Sequence, residues 1–202
     1  MPVRIVLATH NAHKIQELTE ILQDYPFQLS DLCHFPGAEV PEENGETYLE
    51  NALIKARASS AFTGLPSLAD DSGLEVDALQ GQPGLHSARF GGPGSTQEQK
   101  IQLILQGLTE GDPRNARFRC VIAIVHPDGR EWHAQGVCEG FIAPAGRGDQ
   151  GFGYDPIFWL PKYAKTMAQL SSQTKNRISH RALAIHQVMH MLYEDLAHYP
   201  QM

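Results

Sequence analysis

The sequence predicts an α/β protein with a mixed, partly antiparallel sheet and flanking helices. Three observations predict it. Short β-branched runs such as VRIVLA (3–8) have the length and composition of buried strands. Amphipathic helical patterns recur between them. ARFRCVIAIVHPDGREWHAQGVC then reads as two long strands folded about a Pro-Asp-Gly turn, which breaks any regular βα alternation.

Taken in order, residues 3–8 form a strand, THN is a polar turn, and Ile15, Leu18 and Leu22 mark one face of a helix with Asn11 as its N-cap. FQLSDL is a candidate second strand, and PEENGE (41–46) is an acidic, turn-prone loop. TYLENALIKARASSAF (47–62) reads as a helix opened by a Thr47–Glu50 capping box, with Leu49, Ala52, Leu53 and Ala56 as its apolar face. SLADD reads as a strand end, and residues 81–94 form a Gly/Pro-rich loop. Ser95 and Glu98 are spaced to cap a helix carrying Ile101, Ile104, Leu105 and Leu108. After the hairpin, residues 143–156 are loop. Residues 179–196 form a last helix with Ile185, Val188, Met189, Leu192 and Leu196 inward.

The 202 residues suffice for one domain or two small lobes with a real core. No apolar run approaches the ~20 residues of a membrane span, and the N-terminus lacks the pattern of a secretory signal. The cysteines, Cys33, Cys120 and Cys138, are odd in number and widely spaced, so buried thiols in a reduced cytoplasmic protein are expected. A net charge of −7 argues against a broad nucleic-acid surface. It does not argue against a small phosphorylated ligand met by a divalent cation and a few bases.

Five stretches can carry chemistry. In THNAHK (9–14) a helix N-terminus offers backbone N–H groups to an anion, with Thr9, Asn11 and Lys14 as side-chain donors; on pattern alone a capped helix with a solvated lysine accounts for it better. Glu42 and Glu43 are an ordinary acidic surface unless the fold brings another carboxylate to them. Asp70 and Asp71 end an apolar run, where a buried carboxylate is costly unless paired or metal-bound. Strand alternation gives the two acids different neighbours. One could serve as metal ligand or general base, while the other orients a neighbour or caps an Asp-Ser-Gly turn. In GFGYDP (151–156), Phe152 and Tyr154 suit stacking on a flat ring, or a tight turn over the core. Lys175, Arg177, His180 and Arg181 cluster just before and within the start of the last helix, where the macrodipole disfavours cations, which suggests a bound anion or ring oxygen; a solvated basic loop is the alternative.

As an ordered set, LATHNAHKIQEL, ENGETYLENALIKA, ADDSGLEVDAL, PGLHSARF, GFGYDPIF and SHRALA resemble the inosine triphosphate pyrophosphatase family, the dITP/XTP pyrophosphatases, from about Val3 to about Leu192. The resemblance implies one domain over residues 1–202, with two lobes around a central cleft, usually as a homodimer. It implies Mg²⁺-dependent hydrolysis of deaminated purine nucleoside triphosphates (dITP, ITP, XTP) to monophosphate and pyrophosphate. By the same resemblance Thr9, His10, Asn11, Ala12, His13 and Lys14 bind the triphosphate with Lys55 nearby, and Glu42 is a metal ligand. Asp71 is proton acceptor and metal contact, and Ser72 touches substrate. Phe152, Gly153, Tyr154, Asp155, Lys175, His180 and Arg181 hold the nucleobase. Where the family's first loop commonly carries glycine, this chain has His10 and His13, expected as solvated side chains. The alternatives are a nucleotide-binding regulator without turnover and a related pyrophosphatase for modified pyrimidine or standard nucleotides.

Overall fold

The chain folds around a mixed sheet, described here from a computed structural model covering residues 3–198. Strand β1 (Val3–Leu7) runs parallel to β2 (Phe27–Asp31) on one side and to β3 (Ser67–Val76) on the other. β4 (Asn115–Val125) and β5 (Glu131–Ile142) follow, then the short antiparallel strands β6 (Phe158–Leu160) and β7 (Lys165–Thr166). Among the described residues the order is β2-β1-β3-β4-β5-β6-β7, which is the mixed α/β sheet expected from the sequence. The turn joining β4 to β5 closes with the His126 amide donating to the Arg130 carbonyl at 2.9 Å.

Five helices accompany the sheet among the described residues: α1 (Ala12–Leu22), α2 (Tyr48–Thr63), α3 (Gln97–Gln106), α4 (Ser172–Ile178) and α5 (His180–His198). None is long and apolar enough to cross a membrane. α1 is capped as expected, the Asn11 side chain accepting from the His13 and Lys14 amides at 3.0 and 3.3 Å. α3 starts one residue later than expected. Its cap is Thr96, which forms a reciprocal box with Gln99, while the Ser95 hydroxyl is used by the Gly91 carbonyl. Two overlapping S/T-x-x-E/Q patterns competed, and the loop before the helix selected the second. On α5, Ile185, Val188, Met189 and Leu192 are buried as expected; the Leu196 side chain lies outside the described residues.

By contacts the chain divides into two units. The first is Met1–Asp71, Cys120–Gly136 and Arg181–Met202, and the second is Ser72–Arg119 and Val137–His180. Each has its own core. In the first, Ile5, Leu7, Leu18, Leu68, Ile122 and Ile185 pack together. In the second, Leu74, Ile104, Phe118, Ile157, Phe158 and Met167 do so. Cys120 and Cys138 are buried thiols as expected, and burial pushes them up to about 12 and about 11. Cys33 is exposed, because it follows the edge strand β2 in a short surface turn.

Candidate active site

β3 determines the centre of the first unit. Ser-Gly after Asp71 was compatible with a turn, yet the chain stays extended through Asp70, Asp71, Ser72 and Gly73 as far as Val76. Successive side chains of a strand point to opposite faces, and the two acids do meet different partners, although both are buried.

Asp70 is the hub of an ion cluster. Lys14 Nζ lies 3.0 Å from its Oδ1, and Arg181 donates to its Oδ2 from Nε (3.2 Å) and Nη2 (2.9 Å). Arg181 also donates from Nη1 to Glu17. Two cations and two anions thus cancel in a buried setting, which is how such charges are tolerated. Burial opposes ionisation of Asp70, but Lys14, Arg181 and Lys55 outweigh it and hold its carboxyl well below the usual range. Lys14 is therefore not a solvated lysine. Arg181, which the resemblance assigned to the nucleobase, is 2% exposed and holds Asp70 and Glu17.

Asp71 has different company. Asn51 Nδ2 donates to its Oδ2 at 3.2 Å, and Lys55 Nζ lies 3.6 Å from its Oδ1. Lys55 also donates to Glu43 of the acidic loop. Burial is the largest influence on Asp71. Glu43 and Asp70 add to it, and together they raise its proton affinity against Lys55 and Lys14. The shift is opposite in direction to that of Asp70, one residue away. Of the two adjacent glutamates, Glu43 is the one the structure turns toward Lys55, and Glu42 is exposed.

α2 explains this arrangement. Its sequence suggested an apolar face of Leu49, Ala52, Leu53 and Ala56. The buried residues are Tyr48, Asn51, Ala52, Lys55, Ala56, Ser59 and Ser60, so Leu49 and Leu53 give way to polar side chains. Asn51, Lys55 and Ser59 are one turn apart and share a face. That polar face is satisfied from elsewhere in the unit: Asn51 and Lys55 by Asp71, and the Ser59 hydroxyl by Ser67 at 2.9 Å. Thr47 caps α2 as expected, accepting from the Glu50 amide, but Glu50 reaches back to the Glu46 amide and not to Thr47.

The 9–14 turn is internally bonded. Thr9 Oγ1 accepts from the Asn11 amide at 3.1 Å, and Ala12 is the first residue of α1. His10 and His13 are exposed as expected, His10 with its Nδ1 3.9 Å from Cys33 Sγ.

The second unit holds the aromatic stretch. Tyr154 is a core residue whose hydroxyl donates to the Ser87 carbonyl at 3.0 Å, and burial raises its proton affinity. Phe152 is half-buried, with Lys175 Nζ 5.2 Å from its ring centre. The core reading of GFGYDP therefore holds for Tyr154, while Phe152 keeps part of its ring exposed. Asp155 accepts from the Phe152 amide at 2.9 Å and from Lys175. Gly151 makes room for this: a Cβ there would stand 2.1 Å from Asp155 Oδ2, and its φ is +74°. Gly153 also has positive φ (+64°), but into open space. Ser72, in β3, is half-buried.

α4 corrects the electrostatic expectation for the basic cluster. Lys175 and Arg177 occupy the last turn of that separate helix, where the macrodipole favours cations. Their presence therefore needs no bound anion to explain it. His180, at the start of α5, is buried and stacked on Phe118 with ring centres 4.7 Å apart and planes at 16°.

Asn51, Glu17 and Phe118 were absent from the sequence expectation. Asn51 had a signal, since asparagine is a poor interior helix residue unless its side chain is used. Glu17 had one too, lying one turn before Ile21 on the buried face of α1.

Among the described residues no group of three or more His, Cys, Asp and Glu side chains is arranged to hold a metal by itself. A hard divalent cation that keeps water and phosphate ligands needs one or two carboxylates. Asp71 and Glu43 both border Lys55 Nζ, and Glu43 adds to the cost of ionising Asp71; a donor pair of that kind fits such a cation.

Comparisons with known proteins converge. The model of the Ham1 family matches residues 5–191. A protein of Desulforamulus reducens named dITP/XTP pyrophosphatase is 47% identical over 193 residues, covering 94% of this chain and 96% of that one. The Thermus thermophilus protein of the same name is 44% identical, covering 96% and 93%. A HAM1 protein from Coxiella burnetii superposes with a TM-score of 0.86 at 42% identity, over 95% of this chain and 99% of that one.

Proposed function

The chain belongs to the Ham1 family, and from that premise we infer that it hydrolyses non-standard purine nucleoside triphosphates, dITP, ITP and XTP among them, to the monophosphate and pyrophosphate. The observation that carries the residue assignment is the buried Asp71 carboxylate. It has raised proton affinity, is held by Asn51 and borders Lys55.

Asp71 is the proton acceptor. A water attacks the α-phosphorus, the new P–O bond forms as the bond to the bridging oxygen breaks, and pyrophosphate leaves. The proton of that water passes to Asp71, whose environment favours the protonated form more than a solvated aspartate would. Lys55 remains charged between Asp71 and Glu43 and draws phosphate oxygens. Thr9 to Lys14 cradle the triphosphate, with Lys14 held in place by Asp70. Asp71 and the acidic loop of Glu42 and Glu43 would hold Mg²⁺, which would supply Lewis-acid neutralisation of the phosphate charge. Ser72 contacts substrate beside Asp71.

Residues 152–155, Lys175 and His180 supply the nucleobase contacts. Phe152 offers its ring face, and Gly153, Tyr154 and Asp155 shape the turn that carries it. Lys175 and His180 present donors. A 6-keto purine accepts from them, whereas the 6-amino group of adenine offers them no acceptor, a mismatch that discriminates strongly. Arg181 serves here by fixing the start of α5 through Asp70 and Glu17. The protein is proposed to act as a cytoplasmic homodimer.

The test is an assay with dITP, XTP, dGTP and dATP, with and without Mg²⁺. Pyrophosphate released from dITP and XTP in preference to dGTP and dATP, and only with the metal, is the expected result. Orthophosphate as product, or no turnover, overturns the activity. Asp71→Asn is expected to lower kcat by about 10²–10⁴-fold with the fold intact; near-normal turnover removes Asp71 from its role.

A further inference from the structure

One amide joins two parts of the first unit that the reaction needs in register. Asn51 is 1% exposed and sits in the first turns of α2. Its Nδ2 donates to Asp71 Oδ2 at 3.2 Å, and its Oδ1 accepts from the Gly45 amide at 2.8 Å. The opposite amide orientation would set oxygen against carboxylate and N–H against N–H, so a single orientation satisfies both partners. Gly45 is fitted to this contact: a Cβ there would stand 2.8 Å from Asn51 Oδ1 and 2.7 Å from Glu50 Cβ. The loop so fixed carries Glu43, which engages Lys55, and Lys55 in turn borders Asp71. Asn51, Gly45, Glu43, Lys55 and Asp71 thus form a closed circuit of contacts.

We propose that Asn51 is a positioning residue of the hydrolytic reaction, clamping the Asp71 carboxylate with one end of its amide and the Glu43-bearing loop with the other. The proposal rests on Asp71 being the proton acceptor. A carboxylate that takes a proton from a bound water must hold its oxygen within hydrogen-bond reach of it. Free rotation of Asp71, or drift of the loop, would misplace the acceptor while leaving the Thr9–Lys14 turn and the nucleobase contacts in place. Loss of such supporting contacts in comparable sites lowers activity by about 10–100-fold.

The two ends of the amide can be separated. Asn51→Ala loses both. Asn51→Asp keeps an oxygen for the Gly45 amide but donates nothing to Asp71. The readouts are kcat and KM for dITP with Mg²⁺, and, in metal-free protein, hydrogen exchange of the Gly45 amide. For Asn51→Ala, kcat is expected to fall about 10–100-fold with KM within about threefold of the parent, and Gly45 exchange to accelerate at least about tenfold. For Asn51→Asp, kcat falls likewise while Gly45 stays protected. A purely structural role would lower the folded fraction without this split between kcat and KM and between the two variants. Asn51→Ala, or Asn51→Asp should the alanine variant not fold, with kcat within about twofold of the parent overturns the proposal. If Asp71→Asn also keeps its turnover, the reading of Asp71 has failed; if Asp71→Asn is inactive while the Asn51 variants turn over normally, only the clamp has failed.

Discussion

Adjacent residues of one strand can have opposite electrostatics when the strand directs them to different partners. Asp70 is surrounded by Lys14 and Arg181 and stays ionised; Asp71 is buried near Glu43 and holds its proton more tightly. The first arrangement is structural. Arg181 neutralises two buried acids, so Arg181→Met leaves Glu17 without that partner and Asp70 with Lys14. The expected cost is about 3–5 kcal/mol, read from the shift of the urea midpoint. The sequence already indicated that Asp70 and Asp71 do different jobs, through the alternation of a strand. Which cation each would meet was not legible, because Arg181 is more than a hundred residues away along the chain.

α2 departs from an apolar pattern on its buried face, where Asn51 and Lys55 stand in place of core residues. α4 was missed because seven residues give too little periodicity to register. Its existence reverses the reading of Lys175 and Arg177 from strained to favourable. The turn before it offers a paired test. Gly151→Ala would push a methyl into Asp155 and Lys175, whereas Gly153→Ala meets open space. Both require a positive φ, which costs a non-glycine residue about 1–3 kcal/mol. Gly151→Ala is therefore expected to lose more stability than Gly153→Ala, and to raise KM for dITP as Asp155 and Lys175 are displaced. Equal midpoints and equal KM for the two variants would contradict this account of the turn.

At the scale of the whole molecule, the two carboxylates bias stability in opposite directions with pH. Asp70 has a depressed folded value, so its contribution is present above its ordinary value of 3.8 and is lost as pH falls below it. Asp71 has a raised folded value, so its contribution is present below 3.8 and is lost as pH rises through the folded value. At neutral pH the ionised Asp71 therefore opposes folding. Metal-free Asp71→Asn is expected to unfold at a higher temperature than the parent at pH 7, with the advantage shrinking as pH is lowered toward 4. A variant less stable than the parent at pH 7 would show that Asp71 supports the fold through Lys55 more than its burial costs.

The sequence by itself determined the mixed α/β class, most helices and strands, and the family. These depend on local periodicity, on capping and on ordered short motifs, all of which are written within a few residues. Tertiary structure decided what each of those residues touches. It carried β3 straight on past the expected strand end, selected Glu43 over Glu42 for Lys55, placed Tyr154 in the core and left Phe152 half-buried, and joined Asp70 to Arg181. The physical reason is that burial and ion pairing depend on residues brought together from distant parts of the chain. A carboxylate's proton affinity is a property of that gathering and not of the two letters Asp-Asp.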